Sequence, residues 1–122
     1  MIGPHEGKEL ALMLAGKKPL AMFHDLVPTS GTIPEEIIPE QAFAPHVTAG
    51  TIKRFAADFT NTRNGDTIRY VLFALPGAEW RAEFLLWLNR EFYADRSAWN
   101  SAHDELTGKL LGYSDADIQD FL

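Results

Sequence analysis

Residues 51–75 read TIKRFAADFTNTRNGDTIRYVLFAL, in which apolar and polar side chains alternate on both sides of Asn64-Gly65. Asn and Gly adopt positive φ at little cost, so this pair predicts a type I′ turn between two antiparallel strands. A turn at this place sets Arg63 opposite Asp66. The expected pairs on the core face are then Phe59 with Tyr70, Ala57 with Leu72, and Phe55 with Ala74. The segment therefore predicts a β-hairpin with one aromatic, buried face.

The reverse face of this hairpin is only half polar, because Val71 and Phe73 lie on it beside Asp58 and Arg69. Faces that remain in water usually alternate more cleanly, so we expect a helix of the chain, a ligand or a second subunit to cover it. An isologous dimer is a common solution. The candidate interface comprises Val71, Phe73 and Trp87.

The other elements are read from periodicity and from capping residues. A helix is expected over residues 5–15 with its stop at Gly16, and a strand over residues 20–24. After Pro76-Gly77, a helix over residues 78–93 carries an apolar stripe of Trp80, Phe84, Leu88 and Phe92, with Trp87 beside it. Ser97 and Ser114 are expected to cap two further helices.

Residues 25–50 are expected to form a long loop, because the segment contains Pro28, Pro34, Pro39 and Pro45. Within it, Thr32 is expected to cap a single helical turn with Glu35 as its capping-box partner. The strands and helices are otherwise segregated along the chain. We therefore predict an α+β fold in one domain, 1–122, with a small antiparallel sheet that contains the 51–75 hairpin and helices packed mainly on one face.

Composition excludes several classes of protein. A chain of 122 residues with 46% hydrophobic residues has enough apolar surface for one core. The net charge of −6 argues against nucleic-acid binding, which requires clustered Lys and Arg. We expect no membrane segment, since the apolar runs are far shorter than the roughly 20 residues that span a bilayer, and no secretory signal. The lack of cysteine agrees with a reducing compartment, so we expect a soluble, cytoplasmic protein.

Five residues are candidates for a polar pocket: His24, Asp25, Glu36, His46 and His103. His24 and Asp25 end the first expected strand where the chain enters the long loop, a place where functional groups often lie. None of the five has the spacing of a catalytic motif or of a metal-ligand set, so we expect no metal and no cofactor.

The sequence favours a non-catalytic binding or interaction domain that acts as a homodimer and binds a protein partner or a small apolar ligand. One alternative is a small hydrolase or isomerase that uses His24 with Asp25 or a loop Glu, beneath a 25–50 lid. Another is an acidic inhibitor or immunity-type protein that binds a basic partner.

Overall fold

The computed structural model describes residues 5–122, without the side chain of Phe121. The elements are α1 (Glu9–Leu14), β1 (Leu20–Leu26), α2 (Glu40–Thr48), β2 (Lys53–Thr60), β3 (Thr67–Ala74), α3 (Glu79–Tyr93), α4 (Ser101–Leu110) and α5 (Asp115–Phe121). The strands form one antiparallel sheet in the order β1-β3-β2. The predicted α+β class with an antiparallel sheet is confirmed. No helix within residues 5–122 has the length and apolar character needed to cross a bilayer.

The hairpin is present, but its predicted turn and register are wrong. Phe59 pairs with Ile68 and Ala57 with Tyr70, two residues away from the predicted pairs, and Phe55 pairs with Leu72. Because side chains alternate with period two, this shift leaves every residue on its predicted face.

The register differs because the loop is longer than a two-residue turn. The backbone N–H of Asn61 donates to the Asp66 carbonyl at 2.8 Å, and the N–H of Gly65 donates to the Asn61 carbonyl at 2.8 Å. Gly65 has φ +77°, whereas Asn64 is not among the residues with positive φ. The Asn64 side chain instead accepts from the Asp66 N–H at 2.9 Å. This side-chain-to-backbone hydrogen bond forms an Asx turn that stabilises the loop. The loop is therefore not a type I′ turn.

One face of the sheet packs on α3 and on the C-terminal end of α4. Its core includes Leu20, Tyr70, Leu72, Leu85 and Leu110. Every second residue of β3 lies on this face, as the alternation predicts. It is the face that the sequence predicts to be aromatic and buried.

The other face is covered by α1, α2 and the segment between β1 and α2. Phe43 of α2 stacks on Phe73 with ring centroids 4.0 Å apart, and Met13 of α1 belongs to the same buried cluster. Val71 and Phe73 are completely buried inside one copy of the chain. The prediction that these two residues form a dimer interface is therefore wrong, because the chain supplies its own cover.

Helix α2 corrects the expectation of a continuous loop over residues 25–50. The helix begins directly after Pro39 and contains Pro45, although an interior proline removes one helical hydrogen bond. The burial of Phe43 offsets this loss. The Glu35 carboxylate accepts from the backbone N–H groups of Gln41 and Ala42 at 2.9 and 3.0 Å, so it caps α2 rather than a turn at Thr32.

Helix α3 lies where the sequence predicts it but turns a different side to the core. Its buried residues are Ala82, Leu85, Leu88 and Asn89. Trp80, Phe84 and Trp87 are 54%, 39% and 50% exposed. The predicted stripe is wrong because spacing of four residues drifts around a helix of 3.6 residues per turn, and only Leu88 of its first three members is buried.

The caps of the last two helices differ in outcome. Ser114 accepts from the Asp117 N–H at 3.1 Å and caps α5 as predicted. Ser97 does not cap α4, which begins four residues later. Its cap is Asn100, which forms a capping box with His103.

Candidate functional site

A cleft of about 940 Å³ opens along β1, an edge strand of the sheet. Helix α4 forms one wall, and α1, α2 and the segment before α2 form the other. The lining residues are Glu6, Gly7, Glu9, Leu10, Met22, Phe23, His24, Glu35, Glu36, Ile37, Pro39, Ala42, Phe43, Tyr70, Asn89, Trp99, Asp104, Thr107, Gly108, Leu111, Tyr113 and Ile118. A volume of this size accommodates a small molecule or several residues of a peptide.

His24 projects into this cleft from β1. Its ring stacks on Tyr70, with the centroids 4.7 Å apart and the planes 21° from parallel. The ring is reachable from the cleft, yet the surrounding walls remove part of its hydration, which lowers its pKa below the ordinary value. The nearby Asp25 charge opposes this shift. The neutral imidazole is therefore favoured near pH 7.

Tyr70 connects His24 to the helical layer. Its hydroxyl shares a 3.0 Å hydrogen bond with the hydroxyl of Tyr93. Burial, followed by the hydrogen bond to Tyr93, raises the pKa of Tyr70 far above its usual range. The phenol remains protonated, so this wall of the cleft carries no charge from His24 or Tyr70 at neutral pH.

Helix α4 and the residues before it add specific polar groups. The Trp99 indole N–H donates to the Asp104 carboxylate at 2.8 Å. The Thr107 hydroxyl is buried and, among the described residues, has no hydrogen-bond partner. Buried polar atoms are normally paired, and this hydroxyl is an exception.

The charge of the cleft has one sign. Five of the lining residues are carboxylic acids and none is Lys or Arg: Glu6, Glu9, Glu35, Glu36 and Asp104. Low-dielectric walls strengthen the potential of such a cluster. The cleft therefore attracts cations and repels anions.

A buried lysine lies behind the wall of the cleft. Lys18 is 1% exposed, and its Nζ donates to the Leu111 carbonyl at 2.6 Å and lies 3.0 Å from His5 Nδ1. The same atom sits 4.7 Å from the centre of the Tyr113 ring. Burial lowers the pKa of Lys18 to about 8, against a smaller opposing effect of Glu9. Lys18 joins the start of β1 to the α4–α5 connection and does not line the cleft.

Of the five predicted pocket residues, only His24 and Glu36 line the cleft. Asp25 follows His24 in a strand, so its side chain lies on the opposite face and cannot orient the imidazole. His46 lies on α2, where its carbonyl ends the helix by accepting from the Thr51 and Ile52 N–H groups.

His103 also lies outside the lining of the cleft. Its imidazole completes the capping box of α4 and stacks on Trp99 with a centroid distance of 4.9 Å. Across residues 5–122, no three His, Asp or Glu side chains are arranged to hold a metal ion. The structure does not bring the three histidines together.

Sequence reasoning missed Trp99, Asp104, Thr107 and the clustering of the glutamates. Trp99 precedes α4 and Asp104 lies within it, five residues later, so no helical periodicity links the two residues. Glu6, Glu9, Glu35 and Glu36 come from two distant segments, and only the tertiary fold shows that they share a cleft. Trp87, the third predicted interface residue, is exposed on α3.

Comparisons of this chain with protein-family models, with curated proteins and with solved structures each gave no match.

Proposed function

We propose that this chain is a non-catalytic binding domain whose cleft holds a ligand with an apolar body and a cationic group. The observation that carries the proposal is the lining of the cleft, which combines five carboxylic acids with apolar walls and contains no Lys or Arg. A cation gains from such a field, and an apolar body gains from leaving water.

The apolar part of the site is built from side chains of both layers. Met22 and Phe23 come from β1, Phe43 from α2 and Leu111 from the end of α4. Trp99 adds an aromatic surface. Apolar and aromatic walls that also carry polar groups are typical of ligand sites.

The hydrolase or isomerase alternative has weaker support. A general base needs a partner that orients it, and His24 makes no hydrogen bond to a carboxylate in the described part of the chain. Stacking on Tyr70 holds the His24 ring in place, but this contact does not determine which ring nitrogen carries the proton. These contacts favour recognition over proton transfer.

The acidic cleft also fits the third alternative, an acidic protein that binds a basic partner. The net charge of −6 adds a long-range attraction for such a partner. The proposal further places the protein in the cytoplasm, with support from the lack of cysteine in the sequence.

The proposal retains a homodimer, with its interface moved to α3. Trp80, Phe84 and Trp87 are exposed at positions i, i+4 and i+7, so they form one aromatic ridge. Aromatic residues are enriched in the centres of protein interfaces. In an antiparallel pair with its two-fold axis near Trp87, the exposed Glu83 of each copy lies beside Arg90 of the other.

Sedimentation velocity at micromolar concentration tests the dimer. We expect the wild type to sediment as a dimer and Trp87→Glu to sediment as a monomer. Leu26→Glu is the matched control, because Leu26 is 52% exposed on a different surface and should leave the dimer intact. A monomeric wild type removes the dimer from the proposal without affecting the cleft.

Dansylcadaverine tests the cleft, because it joins an apolar ring system to a primary ammonium group and its emission rises in apolar surroundings. We expect saturable binding, and weaker binding of the neutral compound dansylamide. Glu36→Lys should weaken dansylcadaverine by about tenfold, which corresponds to about 1.4 kcal/mol. Asp66→Lys makes the same charge change at an exposed residue of the hairpin loop, outside the cleft lining, and should have little effect. Equal binding of the two dyes, or equal effects of the two variants, would contradict the proposal.

A further inference from the structure

The outer edge of β1 exposes a defined set of backbone groups. At the two ends of the β1–β3 ladder, the Val27 N–H donates to Thr67 and the Leu75 N–H donates to Pro19. In an antiparallel pair, hydrogen-bonded positions alternate with positions that point away. Odd-numbered residues of β1 therefore bond to β3, and the N–H and C=O groups of Met22 and His24 point outward into the cleft.

These outward groups are not used by the rest of the chain. Within residues 5–122, no side chain or loop hydrogen-bonds to the outward backbone of Met22 or His24. Unpaired edge groups of this kind are a template for another strand.

The two edges of the sheet differ in their protection. β2 begins with Lys53 and Arg54, and Arg54 forms an ion pair with Glu40 at 2.6 Å. Charged residues are a common device that blocks strand addition at an edge. β1 reads LAMFHDL and has no Lys, Arg or Pro. The cleft lies along β1, the less protected edge.

The two walls of the cleft differ in chemistry. The wall formed by α4 and the residues before it carries Trp99, Thr107 and Leu111. The remaining four carboxylates, Glu6, Glu9, Glu35 and Glu36, come from α1, the residues before it and the segment before α2. A strand placed between the walls would direct successive side chains to opposite sides.

We propose that the ligand is an extended segment of a partner protein that pairs with β1 as a fourth strand and alternates apolar residues with Lys or Arg. Its apolar side chains face α4, and its cations face the four glutamates. This inference rests on the proposed function and specifies its ligand. A second copy of this chain is a poor occupant, because it would bring a net charge of −6 to an acidic cleft.

The first arm of the test uses capped heptapeptides and fluorescence anisotropy. The probe is Val-Lys-Val-Lys-Val-Lys-Val, checked to be monomeric. The block peptide Val-Val-Lys-Lys-Lys-Val-Val has the same composition without the alternation, and a third peptide replaces each Lys with Glu. We expect the alternating basic peptide to bind at least about tenfold more tightly than either of the others. Equal binding of the alternating and block peptides would overturn the inference.

The second arm uses N-methylation, which removes peptide N–H donors and leaves the protein unchanged. One peptide is methylated at its Val residues and another at its Lys residues. Because only alternate amides of an added strand face β1, one set should weaken binding by about tenfold or more and the other should have little effect. Equal effects of both sets, or no effect of either, would exclude strand pairing.

Dansylcadaverine distinguishes failure of the strand inference from failure of the proposed function. If the dye binds and the alternating peptide does not, the strand inference fails and the cationic, apolar site remains. If neither binds, both the inference and the proposed function fail.

Discussion

The buried Lys18 ammonium makes stability depend on pH in a direction that can be worked out. Burial lowers its pKa from 10.5 to about 8 in the folded protein, and the unfolded chain retains the ordinary value. Between these two values the unfolded state binds more protons than the folded state, so the free energy of unfolding rises with pH. The gain from pH 7 to 9.5 is about 2 kcal/mol, since each unit of pKa shift corresponds to about 1.4 kcal/mol.

Urea denaturation at constant ionic strength, followed by tryptophan fluorescence, measures this gain. The ordinary pKa values of His5 and His24, 6.5, and of Tyr70 and Tyr113, 10.0, lie outside this window, so the titration of these groups in the unfolded chain contributes little to the change. Lys18→Met is the control, and it should abolish most of the rise whatever its own stability. A flat wild-type profile, or an equal rise in Lys18→Met, would refute the assignment of the rise to Lys18.

The remaining predictions concern the packing that shapes the cleft, and urea denaturation measures each of them. Gly112→Ala should lower the free energy of unfolding by at least about 1 kcal/mol more than Gly65→Ala does. Both glycines have positive φ, but only at Gly112 would a Cβ lie 2.6 Å from a proline ring carbon. Equal losses would show that this contact relaxes. Phe73→Ala should cost about 3–5 kcal/mol, because the ring is completely buried against α2; a loss below 1 kcal/mol would mean that the layer is loosely packed. Glu35→Ala should cost about 1 kcal/mol through loss of the α2 cap, whereas Glu36→Ala should be nearly neutral, and equal losses would argue against the cap.

The faces of the hairpin could be predicted from the sequence, whereas its register could not. Alternation places Tyr70 and Leu72 on one side and Val71 and Phe73 on the other, and any shift by two residues preserves this. The register depends on how many residues the loop contains. Asn61 joins the loop through backbone bonds that Asn64-Gly65 alone does not indicate.

The cover of the Val71–Phe73 face illustrates a second limit. Four prolines made a helix in residues 25–50 improbable from local propensity. The burial of Phe43 against Phe73 is a tertiary contact that overrides this preference. From the sequence, a helix of the chain, a ligand and a second subunit all remained possible covers, and the placement of Val71 and Phe73 in a dimer interface was incorrect.

The candidate site was predictable only in part. His24 and Glu36 were identified, and both line the cleft. The acidic lining combines residues that are almost 30 positions apart, so local spacing in a single sequence does not display it.

The most direct measurement is a ¹H–¹⁵N titration of the labelled protein with dansylcadaverine, read at the three tryptophan indole N–H signals. Trp99 lines the cleft, whereas Trp80 and Trp87 lie on the exposed side of α3. If the cleft binds cationic, apolar ligands, the Trp99 signal should shift in a saturable way while the other two remain in place. An unchanged Trp99 signal, or shifts confined to Trp80 and Trp87, would contradict the account.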